Sequence, residues 1–116
     1  MTFAELQETT DAPVILANEQ GRITFINQQL QDTLGWRPAD LVGHPLTTII
    51  PKSLHDAHNL GFSRFLTTEK PTLLNKPLKL KAMTKDGREL PVELVIIAEQ
   101  SKGKWLFGAS LRLRES

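Results

Sequence analysis

Three histidines, His44, His55 and His58, are the side chains of this 116-residue chain best able to ligate a metal or move a proton near neutral pH. His58 stands four residues ahead of Phe62 and seven ahead of Phe65. That spacing puts an imidazole on the same helix face as two aromatic rings, the face a helix turns inward. His55 lies one turn earlier. Histidines at i and i+3 can hold a divalent cation weakly, but no third ligand follows at a sensible spacing, and a zinc site needs three or four. His44, between Gly43 and Pro45, reads as a turn residue. The chain has no cysteine, which excludes disulfides, thiolate metal sites and cysteine nucleophiles.

Catalytic constellations are missing. Serine, histidine and aspartate all occur, but no Gly-x-Ser-x-Gly elbow presents a nucleophile. Neither a glycine-rich phosphate loop nor a His-Glu-x-x-His helix is present. Asp11, Asp32, Asp40 and Asp56 are scattered over caps and turns, where solvated acids sit. Lys76, Lys79, Lys81, Lys85 and Arg88 form a basic stripe, but Glu89 and Glu93 stand across the hairpin from it. A solvated strand face accounts for that stripe, and an enzyme is not expected.

The elements that must position these residues are legible from period and punctuation. Thr2-Phe3-Ala4-Glu5 has capping-box spacing and predicts a short helix from about Phe3 to Glu8. Val14–Ala17 and Ile23–Ile26 read as strands, with Gly21 supplying the positive φ their hairpin needs. From Asn27 the pattern becomes helical, Leu30 and Leu34 lie one turn apart, and Gly35 stops the helix. Pro38–Val42 is a second short helix with proline in its first turn, and Leu46–Ile50 reads as a loop or single turn. Ser53 is the expected cap of a longer helix running to about Leu66. Leu78, Leu80 and Ala82 then alternate with Lys79, Lys81 and Met83. Asp86-Gly87 turns the chain, Leu90, Val92, Leu94 and Ile96 alternate on the return, and Trp105–Leu113 is the last strand.

Such an order, β-β, helices, β-β-β, demands one sheet with one face buried against the helices. If the alternation holds, Leu78, Leu94, Ile96 and Trp105 face a pocket between sheet and helices. The formal net charge is +1, which gives no basic excess for nucleic acid. No apolar run approaches membrane-spanning length, and no membrane contact is expected. One small, soluble, cytoplasmic domain is the expectation.

The run from Asp11 to Leu46, "DAPVILANEQGRITFINQQLQDTLGWRPADLVGHPL", followed by a helix and "KDGRELPVEL", resembles a PAS domain. Its most specific features are Asn27 closing the first hairpin, Leu34-Gly35-Trp36, Asp40-Leu41-Val42-Gly43-His44, and the Asp86-Gly87 turn. The resemblance implies an α+β fold: a five-stranded antiparallel sheet with short helices and one longer helix packed on one face. It divides the chain into an N-terminal cap helix, residues 1–10, and a sensory domain, residues 11–116. It also implies a non-enzymatic sensory or regulatory input module that forms a homodimer and passes its signal to an attached output domain.

A narrower resemblance is to the haem-binding PAS domains of FixL-type oxygen sensors. "HNLGFSRFLTTEK", beginning at His58, is similar to their proximal-histidine phrase, and the interval to Asp86-Gly87 fits without a gap. By that resemblance His58 ligates the iron of haem b, with His55 as the alternative, and Arg64 pairs with a propionate. Leu78, Leu94, Ile96 and Trp105 then take the distal side, Trp105 with an indole N–H to offer. Leu78 replaces the arginine that holds oxygen in that family, Gly61 stands where an aromatic is expected, and Leu111-Arg112-Leu113-Arg114 replaces the exit motif. The alternative is a cofactor-free module for dimerisation or small-metabolite binding. Phe3 and Leu6, one turn apart outside the main core, favour it because they need apolar cover from somewhere.

Overall fold

The β-rich runs pair into one five-stranded antiparallel sheet in the computed structural model, which describes residues 2–56 and 77–114. The strands are β1 (Val14–Ala17), β2 (Ile23–Ile26), β3 (Leu78–Met83), β4 (Glu89–Ser101) and β5 (Lys104–Leu113), in the order β2-β1-β5-β4-β3. Helices α1 (Phe3–Gln7), α2 (Gln28–Leu34) and α3 (Pro38–Leu41) precede two 3-10 turns, Leu46–Ile49 and Lys52–Leu54. The expected five-stranded fold with short helices is the observed one. The longer helix falls for the most part outside the described residues. At its start, Ser53 is not a cap: it lies inside a 3-10 turn whose preceding residue is Pro51. A proline there fixes φ and starts the turn earlier than a serine cap would.

Register sets the two faces. Leu78 pairs with Leu94, Leu80 with Val92 and Ala82 with Leu90, so the aliphatic positions of β3 and β4 share one face. Across β4 and β5, Ile96 stands opposite Ala109 and Ala98 opposite Phe107. Lys79 is opposite Glu93 on the other face, where Glu93 binds Arg112 at 2.7 Å, and of the basic stripe Lys85 pairs with Asp40 and Arg88 with Asp86. On the inner face, Leu30, Leu34, Leu41, Ile23, Ile26, Ile49 and Val92 form the main core. A second cluster lies on the outer face, where Leu6 of α1 packs with Val14, Leu16 and Ile97.

That second cluster answers the question raised by Phe3 and Leu6. Leu6 is 1% exposed, and its cover comes from the chain's own sheet rather than from a partner. Burying a leucine this completely stabilises by about 2 kcal/mol, enough to hold a five-residue helix that would not persist alone. The capping box completes it: Thr2 Oγ1 accepts from the Glu5 N–H, and a Glu5 carboxylate oxygen accepts from the Thr2 N–H.

Two further junctions fix the inner layer. Buried Asn27 caps α2 and is fully bonded. Its Oδ1 accepts from the N–H groups of Leu30 (3.0 Å) and Val14 (2.9 Å). Its Nδ2 donates to the carbonyls of Thr9 (3.0 Å) and Ala12 (2.8 Å). One side chain thus ties the chain leaving α1, the start of β1 and the start of α2. At the other end of α2, Gly35 takes φ 81° as the αL cap. The freed Leu34 carbonyl accepts from the Lys85 N–H at 2.9 Å, in the β3–β4 turn. Trp36 Nε1 donates to the Met83 carbonyl at 2.9 Å, and Lys85 Nζ lies 2.8 Å from Asp40 and over the Trp36 ring.

Candidate ligand cavity

A cavity of about 390 Å³ lies on the inner face of the sheet, and its described wall is apolar. Ile15 and Ala17 of β1 and Phe107, Ala109 and Leu111 of β5 form its floor. Leu78, Leu80 and Ala82 of β3 with Leu94 and Ile96 of β4 form one side. Leu46, Ile49, Ile50 and Leu54, from the two 3-10 turns, form the other. Alternation explains the arrangement: residues i and i+2 of each strand project to one face, and the register aligns those positions across strands. Lys81 also borders the cavity, but the same alternation assigns its side chain to the outer face, and it is exposed. β4 and β5 are paired from Val92–Leu113 to Ser101–Lys104, so most backbone donors and acceptors of the floor are committed to the ladder.

Three of the sequence-predicted residues, Leu78, Leu94 and Ile96, meet on this wall. Trp105 does not join them. It is half-buried and packs against Phe107 with ring centroids 6.5 Å apart, and Phe107 rather than Trp105 reaches the cavity. Trp105 shares the parity of Phe107 and Ala109 but pairs with Gln100, near the far turn of the β4–β5 hairpin. Distance along the strand, not its face, separates it from the cavity. His55 is half-buried, and its Nε2 lies 2.7 Å from the Ile50 carbonyl, to which it donates in the tautomer that satisfies both. Its neighbour Leu54 is on the wall and His55 is not. His58 and Arg64 lie outside the described residues.

The contribution of Leu46–Ile50, which in sequence reads as a loop or single turn, emerges only in the structure. Its signal is a run with three aliphatic residues between Pro45 and Pro51, too short for a helix but rigid at both ends. The segment folds as a 3-10 turn whose Ile49 is buried in the core and whose Ile50 faces the cavity. Phe107, Ile15 and Ala17 were likewise unassigned to the pocket, because strand order rather than alternation brings β1 beside β5.

Among the described lining residues Lys81 is the one charged side chain. A separate shallow concavity of about 300 Å³ on the outer face is bordered by Lys79, Glu93, Arg112, Leu113 and Arg114. There Arg114 Nε donates to the Val92 carbonyl at 3.0 Å, while Glu93 neutralises Arg112. Among the described residues no group of three or more histidine and acidic side chains is placed to hold a metal ion. No described helix is long and apolar enough to cross a membrane.

Known proteins share this architecture. An uncharacterized protein of Azorhizobium caulinodans is 34% identical over 110 residues, covering 94% of this chain. The chain spans only 15% of that relative's length. The crystal structure of the PAS domain of a Desulfitobacterium hafniense protein matches with a TM-score of 0.75 at 17% identity, covering 95% of this chain and 99% of that one. A PAS domain from a two-component sensor histidine kinase matches with a TM-score of 0.72 at 13% identity, covering 95% and 91% respectively. The PAS domain family model matches residues 11–112. Asn27 at the first hairpin's exit, the Leu34-Gly35-Trp36 stop and the five-strand order all fall inside that span, and this chain belongs to the PAS domain family.

Proposed function

We propose that this PAS domain is the sensory input module of a larger signalling protein and that its ligand sits in the inner cavity. PAS domains are typically sensor modules of signal-transduction proteins. The observation that carries the reading is the continuous aliphatic wall, drawn from strands and turns far apart in sequence. A ligand there would touch all four of its supporting strands and both 3-10 turns, so its presence would bear on the whole inner layer.

The specific form of the proposal is haem b, with His58 as the axial ligand, Arg64 toward a propionate, and Leu78, Leu94 and Ile96 as an apolar distal side. Leu78, Leu94 and Ile96 offer the apolar contact that a macrocycle's face takes; by the resemblance His58 supplies the iron ligand, with His55 as the alternative. Haem, when bound, supplies an iron whose open axial position takes a gas. Leucine at position 78 leaves that position without a cationic donor, so carbon monoxide should be held comparatively well. A visible spectrum of the domain expressed with haem supplied tests this. A Soret band that His58→Ala abolishes and His55→Ala retains supports the assignment. No band in the wild type, or an unchanged band in both variants, rules haem out and leaves the input-module reading standing.

The second form is a cofactor-free pocket for a small apolar metabolite. The volume favours it, since 390 Å³ is near the small end of ligand pockets, which run from about 300 to 1,000 Å³.

A further inference from the structure

We propose that Asp86-Gly87, at the tip of the β3–β4 turn, is a latent self-modification site where the chain converts to isoaspartate, restrained by Thr84 and Arg88. The inference goes beyond the sensory reading and is independent of what fills the cavity. Every group it uses lies among the described residues. The chemistry begins with the turn. Gly87 takes φ 92°, a conformation that favours glycine, and a Cβ built there would meet nothing within 4 Å. Its amide nitrogen is therefore unhindered, and of the chain's aspartates and asparagines only Asp86 is followed by glycine. In the reaction the Gly87 nitrogen bonds to the carboxyl carbon of Asp86. One carboxyl oxygen leaves as water, taking the amide proton and the acid's own proton. The five-membered imide so formed then takes up water at one of its two carbonyls. Opening at the side-chain carbonyl restores aspartate; opening at the main-chain carbonyl leaves the backbone running through the former side chain. Water lost is water regained, and no other reactant takes part.

The folded turn opposes each part of that reaction. Asp86 Oδ1 accepts from the Thr84 hydroxyl, and Arg88 Nε donates to Oδ1 at 3.2 Å and to Oδ2 at 3.1 Å. Both carboxylate oxygens are thus held, which resists the rotation that would carry the carboxyl carbon to Gly87. The Gly87 N–H donates to the Thr84 carbonyl at 3.1 Å, so the attacking nitrogen is already engaged. Thr84, then Arg88, also keep the Asp86 carboxyl below its ordinary value of 3.8, in the ionised form that gives up oxygen least readily. Thr84 is itself fixed: it is buried, and its hydroxyl accepts from the Arg88 N–H at 2.9 Å. Conversion would reach past the turn, because isoaspartate puts one extra carbon into the backbone next to Lys85. The Lys85 N–H donates to the Leu34 carbonyl at 2.9 Å, and its Nζ lies 2.8 Å from Asp40. Nearby, the Trp36 indole donates to the Met83 carbonyl at 2.9 Å. A lengthened turn moves these partners out of register and loosens the β3–β4 turn from α2 and α3.

Ageing the 116-residue chain for weeks in neutral buffer tests the inference, with isoaspartate at position 86 located by electron-transfer fragmentation in a mass spectrometer. The folded wild type is compared with the same chain unfolded in guanidinium chloride, and with folded Arg88→Ala and Thr84→Val. The expected result is conversion at least about tenfold slower in the folded wild type than in the unfolded chain. Arg88→Ala should convert about three- to tenfold faster than wild type, the scale of one exposed charge-assisted bond. Thr84→Val should also be faster; if it fails to fold, Arg88→Ala, an exposed change, decides alone. In the purified isoaspartate form, amide exchange should rise at Lys85 and the Trp36 indole N–H resonance should shift, while Leu16 in β1 keeps its protection. A folded wild type that converts as fast as the unfolded chain overturns the inference, as does an unfolded chain that does not convert. Variants that stay folded and convert at the wild-type rate overturn it too. An isoaspartate form whose Lys85 and Trp36 signals match those of the unconverted protein removes the link to α2 and α3.

Discussion

Leu6 occupies the space that any side chain at position 108 would need: a Cβ added to Gly108 would stand 2.5 Å from Leu6 Cδ2 and 2.8 Å from Leu16 Cδ2. Gly108 is therefore a notch in β5 into which α1 docks, and its neighbours Phe107 and Ala109 face the cavity on the other side. Gly108→Ala should lose about 1–3 kcal/mol of stability in urea denaturation, the usual cost of overpacking. Leu6→Ala alone should cost about 2–3 kcal/mol. The double variant should be less destabilised than the sum, with incomplete rescue because Leu16 still crowds the new methyl. Strict additivity would show that the two residues do not share this contact.

Removing residues 1–10 should act on stability before it acts on assembly. The deletion uncovers Leu16, Ile97 and the Gly108 notch, which are covered by α1 within one chain. A lowered melting temperature is expected at every protein concentration. Size-exclusion chromatography that instead showed a simple dimer-to-monomer change at unchanged stability would return the helix to an interface role.

Asn27 makes four hydrogen bonds from a site only 8% exposed. Asn27→Asp keeps the two accepted bonds but turns a carboxylate toward the carbonyls of Thr9 and Ala12. Asn27→Ala leaves the same groups unpartnered and removes the α2 cap. Each should cost about 2–4 kcal/mol, since an unsatisfied buried polar group costs roughly 1–3 kcal/mol and a lost cap about 1. Amide hydrogen exchange should rise first at Val14 and Leu30. Exchange elevated everywhere equally would deny Asn27 this local role.

Acid should loosen the tie between the β3–β4 turn and α3. The hydrogen bond from Lys85, followed by the one from the Arg37 N–H, holds the Asp40 carboxyl below its ordinary value of 3.8. A pKa lower in the folded than in the unfolded state stabilises above the unfolded value and is lost as pH falls through the folded one. Wild-type stability should therefore decline as pH drops below about 4. Lys85→Ala should move the Asp40 titration back upward and flatten that part of the stability curve. An Asp40 titration followed by NMR that does not move in Lys85→Ala would contradict the assignment.

Local chemistry wrote much of this fold into the sequence. The Thr2–Glu5 capping box, the Gly35 stop, the Asp86-Gly87 turn and the alternation of Leu78, Leu80 and Ala82 with lysines each act over a few residues, so each could be read from spacing alone. The inward faces of Leu78, Leu94 and Ile96 followed from the same alternation. Asn27's position was legible, but its bonds to Thr9 and Ala12 were not, since they depend on how the chain leaving α1 crosses it. Leu6 was recognised as needing cover, yet its partner, Gly108, lies about a hundred residues on and has no side chain to advertise the contact.

What the sequence by itself determined was the set of elements and which face of each strand is apolar, because period, caps and turns are short-range physics. The tertiary structure alone decided that β1 lies beside β5, that Ile50 and Phe107 rather than Trp105 complete the cavity, and that α1 is docked by its own sheet. Those outcomes depend on strand order and on close packing between distant segments, where the free volume left at one side chain, or the lack of one, selects the neighbour.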